Sequence, residues 1–139
     1  MRAQSQSRIV DPHIFFLDRS LGKHIVAAAL RQAGAEVEVH DDHFSQDARD
    51  EEWLLDVGRR GWIVLTKDDR IRYRVHERTA LLQAGIRAFV LVKRSVSGPV
   101  MAAAFVSALP AMRRFVARHQ APFIARVTQT GKVSLLLKP

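Results

Sequence analysis

Four acidic stations punctuate the first half of the chain: Asp18, the Asp41-Asp42 pair, Asp50 with Glu51 and Glu52, and Asp68 with Asp69. Carboxylates are the ligands that hard divalent cations such as Mg²⁺ and Mn²⁺ take, together with water and substrate phosphate. Carboxylates brought close together repel, and each resists ionisation until a cation neutralises the group. A metal held in this way lowers the pKa of a bound water and stabilises charge on a phosphate and its leaving oxygen. Clustered acids accompanied by many bases therefore suit work on a polyanion: the bases grip a phosphate backbone and the metal acts on it.

The bases are abundant and unevenly placed. The chain has 139 residues with 22 Lys and Arg against 14 Asp and Glu, a formal net charge of +8. Every acid lies at or before Glu77, a stretch where 14 acids meet 12 bases, whereas residues 78–139 hold ten bases and no acid. The plain alternative is a solvated basic surface with scattered carboxylates. At 47% apolar and 26% charged the composition is that of a globular protein, and the length fits one domain over residues 1–139, with residues 1–12 a flexible lead-in. No apolar run approaches the ~18 residues of a membrane span. The polar start, Met1 to Val10, lacks a signal-peptide core, so a cytoplasmic location without membrane attachment is expected.

Several chemistries are excluded. The absence of cysteine removes disulfides, thiolate catalysis and cysteine-based zinc sites. The six histidines show neither HxH nor HExxH spacing. No glycine-rich phosphate loop follows a strand, because Gly58 and Gly61 precede one. Ser20 has no histidine base at a spacing that suggests a triad. His40 and His43 flank the Asp41-Asp42 pair, where they could support those carboxylates, but the default reading is surface loop histidines.

The elements that must position the acids alternate along the chain. His13 to Leu17 (HIFFL) is a short apolar run that reads as a buried strand. Ser20 is placed to cap a helix in which Leu21, Ile25, Val26, Ala29, Leu30 and Ala33 recur at helical spacing until Gly34. Glu36 to His40 alternates as a second strand would, Asp50 is placed to cap a second helix ending near Gly58 or Gly61, and Trp62 to Leu65 is a third strand. Asp68 or Asp69 opens a helical stretch to Ala84, and Ala88 to Val92 is a fourth strand. Gly98-Pro99 starts a long helix that Pro110 is expected to kink or split. Its stripe of Met101, Phe105, Leu109, Met112 and Phe115 reads as core or subunit contact. Phe123 to Val127 and Lys132 to Leu137, joined through Thr130-Gly131, read as a terminal hairpin.

Such alternation predicts an α/β fold, a mainly parallel sheet flanked by helices with a C-terminal β-hairpin. In these sheets ligands bind beyond the carboxyl ends of the strands. Strand one exits at Asp18, strand two at Asp41 and Asp42, strand three at Thr66-Lys67-Asp68-Asp69 and strand four at Lys93-Arg94, so three consecutive strands deliver carboxylates to one rim. Thr66 is placed to fix a neighbouring carboxylate by a hydrogen bond, and Lys67 and Lys23 to meet phosphate. Arg70, Arg72 and Arg74, interleaved with Tyr73, suit phosphates and a stacked unpaired base. Each residue also has an ordinary role: Asp50 and Asp68 as helix caps, Asp41 and Asp42 in a turn, the arginines on a solvated face. Asp18 is the hardest to dismiss, since a charge adjoining an apolar strand needs a partner.

Phe16-Leu17-Asp18-Arg19-Ser20-Leu21, Asp50-Glu51-Glu52-Trp53-Leu54 and Val64-Leu65-Thr66-Lys67-Asp68 together resemble the acidic signatures of PIN-like domain nucleases, in particular small VapC-type toxins of toxin–antitoxin pairs. The resemblance spans about residues 13 to 92. It implies metal-ligating, catalytic roles for Asp18, Asp50 and Asp68, with the fourth acid open: Asp42 on position, then Asp41, Glu51 or Glu52. It also implies Mg²⁺- or Mn²⁺-dependent endonucleolytic cleavage of RNA, a cognate antitoxin and a homodimer. Two other readings compete. One is a nucleic-acid-binding domain whose carboxylates are catalytically idle. The other is a receiver-like phosphoacceptor, which usually needs an acid pair where this chain has Asp18-Arg19.

Overall fold

Residues 13–68, 75–92 and 97–137 are described in a computed structural model. Over those residues the chain builds β1 (Ile14–Leu17), a 3-10 turn (Arg19–Leu21), α1 (Ile25–Gln32), β2 (Glu36–Val39), a second 3-10 turn (His40–Asp42) and α2 (Asp50–Arg60). β3 (Ile63–Thr66), α3 (Val75–Gln83), β4 (Arg87–Leu91), α4 (Gly98–Arg118), β5 (Phe123–Val127) and β6 (Val133–Leu137) follow. The flexible lead-in expected at 1–12, the Arg70, Arg72, Tyr73 and Arg74 cluster and Lys93-Arg94 all lie outside the described residues.

The six strands form one sheet in the order β2-β1-β3-β4-β5-β6. All neighbours run parallel except β5 and β6, which pair antiparallel as the terminal hairpin. Alternate side chains divide the core between the faces. Phe15, Leu17, Phe89 and Leu91 point into a layer built by α1 and α4, while Phe16, Val64, Ala88 and Val90 meet Trp53, Leu54 and Val57 of α2 and Leu81 of α3. Both faces are covered, which is why the strands read as near-continuous apolar runs rather than alternating ones. Truncating a fully buried phenylalanine such as Phe15 or Phe16 costs about 3–5 kcal/mol in such a core.

The helix ends follow local chemistry. Gly61 adopts a left-handed conformation (φ 72°) and closes α2, a backbone position at which glycine escapes the Cβ clash. Ser97 caps α4 by accepting from the Val100 amide. α4 then runs unbroken through Pro110, contrary to the split that proline suggests. Pro110 lies on the exposed side, where water can reach the carbonyl that its ring leaves without a donor. Met101, Phe105, Leu109, Met112 and Phe115 are buried against the sheet, so the stripe is core. By length and composition α4 passes for a membrane span; its apolar side is the one packed on β4 and β5.

Candidate active site

Asp18 leaves β1 at the level where Thr66 ends β3, because Leu17 is in register with Leu65. Its amide donates to the Leu65 carbonyl, 3.2 Å away, which locks the exit of one strand onto its neighbour. Beyond it the chain turns tightly. Asp18 Oδ1 accepts from the Ser20 amide at 3.0 Å and from the Ser20 hydroxyl at 2.5 Å. Asp18, not Ser20, is thus the cap at this point; it caps the 3-10 turn, and α1 begins only at Ile25 with no side-chain cap.

The other oxygen of Asp18 is held from β3. Thr66, fully buried, donates its hydroxyl to Asp18 Oδ2 at 2.5 Å. Each hydroxyl has one proton, and both are committed to Asp18. The 3.1 Å approach between Ser20 Oγ and Thr66 Oγ1 is then a contact of two acceptors, each free to receive elsewhere. Both do: Ser20 Oγ accepts from the Lys67 amide and Thr66 Oγ1 from the Asp68 amide, at 3.1 and 3.0 Å. The β3 exit and the Asp18 carboxylate are therefore one network, with its polar groups paired in a site where an unpaired one would cost about 1–3 kcal/mol.

Electrostatics push Asp18 in a definite direction. Burial raises its pKa to about 6 from 3.8; the Ser20 and Thr66 hydrogen bonds oppose the rise, and the nearby Asp68 carboxylate adds to it. Two close carboxylates, one desolvated, favour a cation between them.

Asp50 approaches from α2. Its N-cap is Arg49, so Asp50 is the first helical residue rather than the cap. Its carboxylate is spoken for: Oδ1 accepts from Arg19 Nη2 at 2.7 Å and from the Trp53 indole at 2.9 Å. Arg19 also donates to the Gln46 carbonyl, tying the loop before α2 to the turn after β1. The second strand contributes differently from expectation. Asp42 is exposed and makes no side-chain hydrogen bond or ion pair among the described residues. Asp41 is half-buried and engaged by Lys23 at 3.8 Å, by the His40 ring at 3.3 Å and by the Gln46 amide. Glu51 and Glu52 are exposed on the first turn of α2, Glu52 paired with Arg49.

Residues 13–93, the segment from β1 to just past β4, match the profile described as PIN like domain. The chain belongs to the PIN-like domain family. It is also 32% identical over 132 residues to a Mycobacterium tuberculosis protein named "Putative ribonuclease VapC45", with 92% of this chain and 95% of that protein covered. No solved structure matches the chain significantly.

Within this PIN-like domain the acids expected at the strand exits fall into two sets. Asp18 at the β1 exit feels the charge of Asp68 beyond β3, and the Asp68 amide is held by Thr66. Asp50 is tied to the β1 exit by Arg19, and Asp41 to the loop before α2 by Gln46. No three acidic or histidine side chains close on one point among the described residues. The donor set nonetheless suits a hard divalent cation, since it is all oxygen and its central carboxylate is desolvated beside a second one.

Three residues escaped the sequence reading. Ser20 was legible as a partner of Asp18, since an aspartate commonly accepts from the amide two residues on. Arg19 gave no signal, because its partner lies 31 residues away. His40 is not a surface histidine but buried, enclosed by Phe16, Phe44 and Trp53. Burial lowers its pKa, and its Nε2 finds no hydrogen-bond partner among the described residues.

Proposed function

We propose that this PIN-like protein is a divalent-metal-dependent endoribonuclease and the toxin of a toxin–antitoxin pair, acting in the cytoplasm as a homodimer. The observation that carries the reading is the Asp18 carboxylate, held at both oxygens by the Ser20 and Thr66 hydroxyls with Asp68 beside it. The similarity to a protein whose name is that of a VapC ribonuclease supports RNA as the substrate and an antitoxin as a partner.

Asp18 and Asp68 would hold Mg²⁺ or Mn²⁺, with Asp50 and either Asp42 or Asp41 completing the set. The bound metal supplies a water of lowered pKa and stabilises charge on the scissile phosphate. Ser20 and Thr66 fix the Asp18 carboxylate so that no rotamer search precedes binding. Lys23 and Lys67 flank the rim and would draw the phosphate backbone toward it, joined by Arg70, Arg72 and Arg74 from the chain after β3.

Incubating the purified, antitoxin-free protein and Asp68→Asn with a mixed RNA pool, in Mn²⁺, Mg²⁺ or EDTA, tests this. Cleavage that requires both metal and Asp68 is expected. RNA bound but never cut would favour the binding-only reading, which the lack of a closed three-acid cluster among the described residues also favours.

A further inference from the structure

A second cationic feature lies at the opposite end of the sheet. A cleft of about 530 Å³ opens where β3, β4 and β5 begin, lined by Trp62, Arg87, Arg118, His119 and Gln120 among others and, among the described residues, by no carboxylate. A smaller cleft of about 180 Å³ adjoins it, shares Arg118 and His119, and adds Arg114. These arginines belong to the acid-free stretch 78–139.

Arg87 sets this cleft apart from an ordinary basic surface. It opens β4, is half-buried, and burial lowers its pKa. A guanidinium has five N–H donors; among the described residues Arg87 makes one hydrogen bond, to the Gly61 carbonyl at 2.9 Å, and no ion pair. Neither Arg114 nor Arg118 meets a carboxylate there. A desolvated cation without a counter-anion is unfavourable, and an incoming anion offsets that. The C-termini of α2, α3 and α4 end nearby and attract cations to their last turns, which accounts for Arg118. Arg87 serves the end of α2 through the Gly61 carbonyl, but that single bond leaves most of its donors unused, and no acid among the described residues lines either cleft.

We infer that the paired clefts lined by Arg87, Arg114 and Arg118 form a second phosphate-binding site, which anchors the backbone of long RNA away from the cleavage rim. This rests on the nuclease reading for its ligand. From Arg87 to Leu91 the sheet spans roughly 13 Å at 3.3 Å per residue, about two steps of an extended RNA strand, so an RNA of many nucleotides reaches both ends while a dinucleotide reaches only one. The site would therefore select substrates by length and fold rather than by base.

The test uses metal-free full-length Asp18→Asn protein, with and without Arg114→Gln and Arg118→Gln, two exposed positions. Affinities for a long structured RNA and for a dinucleotide are measured across salt concentrations. For the long RNA, the slope of log affinity against log salt should flatten by about 0.7–0.9 per lost contact, with dinucleotide binding unchanged. An unchanged slope would assign these arginines to the helix ends and overturn the site. Equal losses for both RNAs would place their effect at the rim and overturn it too, as would competition by polyglutamate as effective as that of RNA. Metal-dependent cleavage by the wild type, measured alongside, shows whether the nuclease reading survives such a result.

Discussion

Arg19 and Asp50 meet at 2.7 Å, with about a third of one side chain and a quarter of the other exposed. Arg19 follows Asp18 directly, so a residue of the β1 exit neutralises the acid that opens α2. The guanidinium would compete with any divalent cation for the Asp50 carboxylate. Arg19→Gln removes that competing charge while keeping a donor for the Gln46 carbonyl. We expect Mn²⁺ to bind this variant more tightly than wild type in calorimetric titration. Thermal stability without metal should fall by only about 1 kcal/mol, as for a partly exposed pair. Weaker Mn²⁺ binding with an intact fold would instead make Arg19 the residue that positions Asp50.

Thr66 carries two hydrogen bonds through one oxygen, donating to Asp18 and accepting from the Asp68 amide. Thr66→Val keeps the shape and removes both. Two partly buried polar groups then lose a partner, and a stability loss of about 1–3 kcal/mol is expected. The loss also removes an interaction that lowers the Asp18 pKa, so the acid limb of the cleavage profile should move to higher pH. Thr66→Ser should restore both properties. A valine variant with an unmoved acid limb would mean that Thr66 does not orient Asp18.

The strand-and-helix alternation was legible because both sheet faces are covered, which makes HIFFL and WIVL unmistakable as buried strands. The carboxyl-end rule then located Asp18 and Asp68 on one rim. Two kinds of information were not local. The registers that bring Thr66 beside Asp18 and the side-chain reach that links Arg19 to Asp50 depend on pairings across 48 and 31 residues. The burial of His40 is not visible in its sequence neighbours Asp41 and Asp42, which are polar; Phe16, Phe44 and Trp53 surround it only once β1 and α2 pack.

Gly58 is a packing requirement rather than a turn. A Cβ there would stand 2.3 Å from the Ala84 carbonyl oxygen, so α2 approaches the end of α3 only because position 58 has no side chain. Gly58→Ala should lower stability by about 1–3 kcal/mol through overpacking, despite alanine's better helix propensity. Denaturant melts measure this, and cleavage per folded molecule should not change. A stabilised Gly58→Ala protein would show that α3 can move away freely.

Two buried groups give the metal-free protein opposite responses to acid. Asp18 has its pKa raised to about 6 from 3.8, so the folded state binds a proton more tightly than the unfolded chain. Its ionisation therefore opposes folding fully above about pH 6, and this penalty fades as pH falls toward 4. Asp18→Asn should be more stable than wild type at pH 7–8, and the gain should vanish near pH 4. His40 works the other way. Its pKa is lowered from 6.5 by burial, so the stability of its neutral form is present above pH 6.5 and is lost as pH falls through the lowered value. His40→Phe fills the same aromatic box without a titrating ring, and Asp41 keeps Lys23 and Gln46. That variant should resist acid unfolding, its stability curve parting from wild type only below about pH 6.5. Since the two effects cancel in part in the wild type, urea melts of both single variants from pH 4 to 8 are needed to separate them. Parallel curves for wild type and His40→Phe would mean that His40 takes its proton without leaving its box.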